Sequence, residues 1–227
     1  MDLQPDSKKQ ECACPTDARI ARHFDAKVAE RTSNCEHPVL VAASERLKGA
    51  LLSLNPTGKT VLELGCGRGA LLLELVQAGA ARATGVDLSP AGIDAALDRF
   101  AQGQLSDRVD LSVGDAAHVP LEPHDWVILD RVMCCYPDIE GLLANTLPAA
   151  RHLYAFTVPT SRGWRGVAAR LREWFENAWN TLRGQSCPGY VHNLDRIEQR
   201  LVTAGFRLRH RDRQRLWHIA VYERSAG

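Results

Sequence analysis

Apolar and polar positions along this chain keep two rhythms, and the order in which the rhythms follow one another predicts the architecture. Short apolar runs ending in glycine or an acid predict strands at 61–64, before Asp87, at 108–113, at 126–129 and in the segment AFTVP. Apolar residues at helical spacing predict helices at 70–76, closed by Gly79, and at 90–100. From Thr57 to Phe156 the order reads strand, helix, strand, helix, strand, strand, helix, strand. That alternation predicts an α/β fold with a doubly wound, mostly parallel sheet.

The flanks read differently. Ile20, Phe24 and Val28 place a helix over 17–31, and Leu40, Ala43, Leu47, Leu51 and Leu54 place a second over 38–54. Residues 1–56 thus form an N-terminal helical cap outside the sheet-and-helix core, and 57–227 the main domain. The second helix is expected to cover sheet surface, whereas the first could carry His23 and Phe24 to a ligand.

An insertion at 159–191 has Val167, Leu171, Trp174, Phe175, Ala178 and Leu182 at helical spacing. Such an aromatic stripe is expected to be core, although its place after a ligand-edge strand makes it a candidate lid. Arg162, Arg165, Arg170 and Arg172 suggest a membrane-surface helix, but Glu173 and Glu176 interrupt that basic face. The tail reads as a helix at 194–204 and an antiparallel hairpin at 206–213 and 216–222. Arg207, Arg209, Arg211, Arg213 and Arg215 alternate and so should share one face. Charge that keeps an edge strand soluble explains them better than a nucleic-acid patch.

Candidate chemistry concentrates at VLELGCGRG, residues 61–69, where Gly65, Gly67 and Gly69 lie between a strand and a helix N-terminus. Backbone N–H groups at such a junction are expected to be unpaired, and the glycines let the chain approach a ligand at positive φ. The spacing GxGxG differs from the GxGxxG of dinucleotide loops, whose third glycine would fall at Ala70. A turn this tight suits an adenosyl ligand with an amino-acid tail better than a pyrophosphate. Asp87, 20 residues after Gly67, suits a carboxylate accepting both ribose hydroxyls. Asp115 and Asp130 follow on the next strand ends, so the acids share one carboxyl edge if the crossovers are right-handed.

These motifs resemble those of the class I S-adenosylmethionine-dependent methyltransferases over roughly residues 57–158. VLELGCGRG is similar to their glycine-rich first motif, GVDLS to their ribose-binding second, VGDAA to their adenine-binding third and VILDRV to their post-strand-four motif. The resemblance implies a Rossmann-like fold, a reversed final strand, S-adenosyl-L-methionine as cofactor and S-adenosyl-L-homocysteine as product. It implies that Glu63, with Gly65, Cys66, Gly67 and Gly69, orients the loop and the methionine amino group. Asp87 and Leu88 would hold the ribose, Asp115 and Ala116 would contact adenine, and Asp130 and Arg131 would line the same edge. More loosely, DRVMCCYPD, AFTVP and YVHNLDRIEQRLVTAGF resemble bacterial proteins near the magnesium-protoporphyrin methyltransferases, without carrying the porphyrin substrate over.

The acceptor side is less determined. Asp130-Arg131-Val132-Met133 is not the Asn/Asp-Pro-Pro-aromatic motif of amino-methylating nucleic-acid enzymes, which points to a small-molecule acceptor rather than nucleic acid. Tyr136 is placed to line its pocket, and His23, Tyr190 and His192 are candidate proton acceptors. Cys134 and Cys135 could join Cys12 and Cys14 in a thiol cluster for a soft acceptor such as arsenite, against the plainer reading of cysteines as small hydrophobes. Two readings from other classes are a nicotinamide oxidoreductase and a noncatalytic adenosyl-ligand or RNA-binding module.

Composition narrows this further. A net charge of +1 predicts no general attraction to nucleic acid or anionic membrane. The polar start lacks an apolar signal core, and seven cysteines without CxxC spacing give neither a disulfide framework nor a zinc site. The expected location is cytoplasmic, with no membrane span and no resident metal. Nothing in the pattern specifies an oligomeric state.

Overall fold

The computed structural model describes Ala21, Arg22, Asp25 and residues 38–182 and 189–225. His23, Phe24, Cys12 and Cys14 lie outside the described residues. In chain order the elements are α1 (Pro38–Ser53), β1 (Thr60–Leu64), α2 (Ala70–Gln77), β2 (Arg82–Asp87), α3 (Pro90–Gln102), β3 (Val109–Val113) and β4 (His124–Asp130). They continue as α4 (Ile139–Thr146), β5 (Ala150–Pro159), α5 (Gly163–Leu182), α6 (Leu194–Thr203), β6 (Phe206–Gln214) and β7 (Trp217–Arg224).

The seven strands form one sheet in the order β3-β2-β1-β4-β5-β7-β6. Strands β1 to β5 pair in parallel, and β7 runs antiparallel to both β5 and β6, as the expected hairpin requires. Strand order reverses between β1 and β4, and an open α/β sheet forms its ligand crevice at the carboxyl end of such a switch point.

Alternation along β1 shows how the layers arise. Leu62 and Leu64 enter one core with Leu142 and Leu143 of α4 and Leu194, Ile197 and Leu201 of α6. Val61 enters the opposite core with Leu72 and Leu75 of α2 and Ile93 and Phe100 of α3. Each fully buried Leu or Phe contributes roughly 1.5–3 kcal/mol relative to exposure, so β1 is anchored from both faces.

Three expectations are corrected. First, α1 is not outside the core: Leu47 and Leu51 are fully buried in the same cluster as Val61, Trp126, Ile219 and Val221. Its apolar stripe covers sheet surface, as expected of it, and in doing so joins the core across residue 56.

Second, the β6 arginines do not share a face. The register slips between Leu208 and His210, so Arg207 stands opposite Glu223 while Arg211 stands opposite Ala220. One extra residue inverts the pleat from there on. Arg207 and Arg209 accordingly pair with Glu223, while Arg211 pairs with Glu198 of α6 on the other side. A bulged, ion-paired edge fits the solubility reading.

Third, the aromatic stripe of α5 is not core. Trp164, Trp174, Phe175 and Trp179 are all more than half exposed.

Candidate active site

The glycine loop connects the end of β1 to the start of α2, beside the switch point. Gly65, Gly67 and Gly69 all adopt positive φ, at 70°, 51° and 67°. Only glycine adopts that region without strain. Their spatial roles differ. A Cβ on Gly65 would lie 2.3 Å from Val132 Cγ2, and one on Gly69 would crowd Ala96 at 3.1 Å, whereas one on Gly67 would meet nothing within 4 Å. Gly65 and Gly69 therefore allow close packing, and Gly67 faces open space at the ligand edge.

The expected row of unpaired loop N–H groups is not what the fold provides. Gly65 and Cys66 N–H both donate to Val86 O, Gly69 N–H to Cys66 O and Gly67 N–H to Asp87 Oδ2. The loop is thus pre-shaped by internal bonds, and the groups left to grip a ligand are carboxylates.

Glu63 is the most telling of these. It is 4% exposed, and its Oε2 has no hydrogen-bond partner among the described residues. Burial pushes its carboxyl well above the usual range; Asp130 and Asp87 push the same way, while Arg131 and the Leu72 N–H of α2 oppose them. A buried carboxylate oxygen without a donor is costly, and an incoming cation with N–H donors removes that cost. The site therefore fits an amino-acid ammonium group carried by an adenosyl ligand.

Asp87 is nearly as buried. Its Oδ2 accepts Gly67 N–H at 2.7 Å and its Oδ1 accepts Ser89 N–H at 2.8 Å. Burial nevertheless raises its carboxyl above the ordinary value. Each oxygen keeps a second lone pair, so the backbone fixes its orientation while leaving it able to accept ribose hydroxyls. Leu88 beside it packs against the core.

Cys66, 6% exposed, is held as an un-ionised thiol by burial and serves as a small packing residue beside Gly85.

The third strand end places Asp115 in a network. Its Oδ1 accepts the Tyr136 hydroxyl at 2.7 Å and Ala117 N–H at 2.9 Å, and its Oδ2 meets His118 Nδ1 at 2.6 Å. Ala116 is buried, and its carbonyl accepts Asn145 Nδ2–H at 2.9 Å. Burial first, then Asp115, pushes the Tyr136 phenol far up, so Tyr136 is a donor that aims Asp115 and not a phenolate base.

At the fourth strand end Asp130 accepts Ser44 Oγ–H of α1 and Thr157 Oγ–H of β5, both at 2.6 Å. Arg131 takes a positive φ of 60°, its N–H donates to Thr157 Oγ1, and its Nε lies 3.3 Å from Asp130 Oδ2. The chain turns sharply there into the loop carrying Met133 to Tyr136. His192 Nε2–H donates to Met133 O and Tyr136 O, each at 2.9 Å, and Tyr190 N–H donates to Cys134 O at 2.8 Å. The segment leading into α6 is thereby tied across the loop after β4. Burial lowers the His192 pKa, keeping the ring neutral, and its Nε2 is already committed as a donor.

Of the three expected catalytic residues, Tyr136 and His192 come together, Tyr136 as the clasp of Asp115 and His192 as the clasp of the loop, whereas His23 lies outside the described residues. Cys134 and Cys135 have sulfurs 4.0 Å apart. Among the described residues no group of three or more His, Cys, Asp or Glu could hold a metal. Among the described residues the soft-acceptor reading has these two thiols; Cys12 and Cys14, which would complete the expected cluster, lie outside them.

Several supporting residues escaped the sequence reading. Ser44, Thr157 and Asn145 are small polar residues whose partners lie on other elements. Asp25 accepts Ser89 Oγ–H at 2.5 Å and Ala91 N–H at 3.3 Å, putting a carboxylate at the N-terminus of α3. The one local signal was Ser89-Pro90, an N-cap followed by proline at the first helical position.

Comparison with known proteins agrees with this geometry. The doubly wound sheet with a reversed last strand and glycine loop is the Rossmann-like class I architecture. Residues 61–152 match the family model described as a methyltransferase domain. Residues 61–152 therefore carry a methyltransferase domain of that architecture.

Over 119 residues, 52% of this chain, it is 44% identical to ribosomal protein L11 methyltransferase of Escherichia coli O1:K1 / APEC. That match spans only 36% of the relative's length. Among solved structures it is similar to magnesium protoporphyrin IX methyltransferase from Synechocystis PCC 6803 with bound SAH, at TM-score 0.73 and 17% identity, covering 92% of this chain and 99% of that one. It is also similar to the [4+2]-cyclase SpnF, at TM-score 0.70 and 15% identity over 95% and 98% of the two chains. Likenesses this distant in sequence establish the fold and leave the reaction to the site.

Proposed function

We propose that this chain transfers a methyl group from S-adenosylmethionine to a small-molecule acceptor held between the glycine loop and the loop after β4. The observation that carries the cofactor half is the buried Glu63 Oε2, which has no hydrogen-bond partner among the described residues, on the strand that feeds the glycine turn. In this reading Glu63 binds the ammonium group, Asp87 the ribose, and Asp115 with Ala116 the adenine. S-adenosylmethionine supplies an electrophilic methyl on a sulfonium.

What the protein contributes is alignment, since well-oriented reactants gain roughly 7–11 kcal/mol over free ones. Tyr136 positions Asp115, and His192 braces the loop through Nε2–H, a tautomer that leaves Nδ1 as the ring's proton acceptor. Asp130, held from three sides, fixes the turn that aims the acceptor loop. His192, Tyr190 and His23 remain the candidate bases.

A small acceptor is supported by the ion-paired arginines of β6, which are not presented as a basic patch.

The test is to incubate the protein with isotope-labelled methyl donor and a metabolite extract, then fractionate the product. Label in a compound of low mass is expected. Label confined to protein, as the L11 relative's name would suggest, overturns the acceptor class, and absence of S-adenosylhomocysteine binding overturns the whole reading.

A further inference from the structure

We propose that α5 is an interfacial anchor whose outward face docks on the surface of an anionic phospholipid bilayer. No helix among the described residues is long and apolar enough to cross a membrane, so the mode is a helix lying flat on it.

Trp164, Val167, Leu171, Trp174, Phe175 and Trp179 are 54–75% exposed. Their helical spacing gathers them into one stripe along a 20-residue helix. At 1.5 Å per residue the stripe from Trp164 to Trp179 is about 22 Å long. The opposite side of α5 faces the body: Ala169 is fully buried, and a Cβ on Gly166 would collide with the Ser161 backbone. Asn177 exchanges two hydrogen bonds with Gly189, at 2.8 and 2.9 Å, also on that side. The apolar stripe therefore points away from the acceptor loop, and closure over the site would not cover it.

The charges say what would. Arg165 and Arg170 flank the stripe on opposite sides by helical spacing, and the Arg165 guanidinium sits 5.3 Å from the Trp164 ring centroid. Of the acids expected to interrupt this face, Glu173 is turned inward at 13% side-chain exposure and bonded to Arg172 at 2.7 Å, while Glu176, exposed on the Arg165 edge, is partnered by Arg172 at 3.5 Å, so the charge along that edge stays net positive. What remains is an apolar strip rich in tryptophan with a guanidinium along each edge.

Tryptophan suits the boundary between headgroups and acyl chains, and arginines at that depth meet phosphates. A second copy of the chain fits less well, because pairing about a two-fold axis would bring these like-charged edges together.

The test uses the full chain with phosphatidylcholine vesicles, with and without phosphatidylglycerol. Co-sedimentation with the anionic vesicles is expected, weakened by salt, with a blue shift of tryptophan emission against the constant background of buried Trp126 and Trp217. A Trp174→Glu/Phe175→Glu variant and an Arg165→Glu/Arg170→Glu variant should each lose at least tenfold in vesicle affinity. Both should keep the parent's circular dichroism and S-adenosylhomocysteine affinity, which separates this proposal from the catalytic one. Failure of the parent to sediment overturns the anchor. So does a parent dimer that Trp174→Glu/Phe175→Glu converts to monomer, which would make a second copy the occupant.

Discussion

Replacing Glu63 by Gln should move stability and cofactor affinity in opposite directions, an outcome that follows from a carboxylate kept for a ligand and not for the fold. Glu63 Oε2 has no donor among the described residues, and burial raises the carboxyl well above its ordinary value. A folded-state pKa above the unfolded one means that the native protein holds a proton that the unfolded chain releases. The contribution to stability is therefore lost as pH rises from about 4.5 through the raised folded value.

The Glu63→Gln variant escapes that loss, because its amide is neutral at every pH and still able to accept the Leu72 N–H through its oxygen. An unsatisfied buried polar group costs roughly 1–3 kcal/mol, and a charged one more. At about 2–4 °C per kcal/mol for a chain of this size, the ligand-free variant should melt several degrees above the parent at pH 8, with the gap closing toward pH 5. A hydrogen bond between a carboxylate and an ammonium group contributes roughly 1.5–3 kcal/mol, so affinity for S-adenosylhomocysteine should fall about 10- to 150-fold. Scanning calorimetry across pH and titration calorimetry with S-adenosylhomocysteine read the two effects. Unchanged affinity, or a variant that melts below the parent at pH 8, would refute the reasoning.

Further outcomes follow from the same geometry. Gly65→Ala adds a Cβ 2.3 Å from Val132 at a φ of 70°, and should cost about 2–5 kcal/mol by overpacking and backbone strain. Gly67→Ala adds only the strain, about 1–2 kcal/mol, yet should reduce S-adenosylhomocysteine binding more than tenfold because its Cβ enters ligand space; urea unfolding and calorimetry on both variants distinguish a packing glycine from a binding one. His218, whose pKa burial lowers to about 4 despite Glu198 at 3.5 Å, stays neutral in the fold while the unfolded chain protonates near 6.5. Its stabilisation is complete above pH 6.5 and is lost as pH falls toward 4, on the order of 3 kcal/mol, so His218→Gln should flatten the acid limb of a stability profile measured by urea unfolding.

How much of this was legible in the sequence depends on how local the cause is. The strands and the glycine turn were readable because period and glycine spacing act within a few residues, and Asp87 because its distance from Gly67 reflects one strand-helix-strand unit. The bulge in β6 was not readable, since Arg207 to Arg215 alternate without interruption and the slip comes from pairing with β7. The apolar face of α1 was expected to cover sheet surface and does, whereas the exposure of the α5 stripe was missed. A helical apolar face shows in the sequence, but what it meets is decided by elements far away in the chain. The loop N–H groups were misjudged likewise, because Val86 O and Asp87 Oδ2 come from a different strand and satisfy them before any ligand arrives.

That last misjudgement changes how the site works. A phosphate-binding loop presents N–H groups to an anion, but here the same kind of turn has consumed them to aim two buried acids, Asp87 through its backbone bonds and Glu63 through Leu72. A cationic amino-acid tail beside Glu63 would offer the donors that its Oε2 lacks among the described residues and so favour the ionised carboxylate. Glu63, and not the glycine pattern, is therefore the residue whose replacement separates cofactor binding from folding.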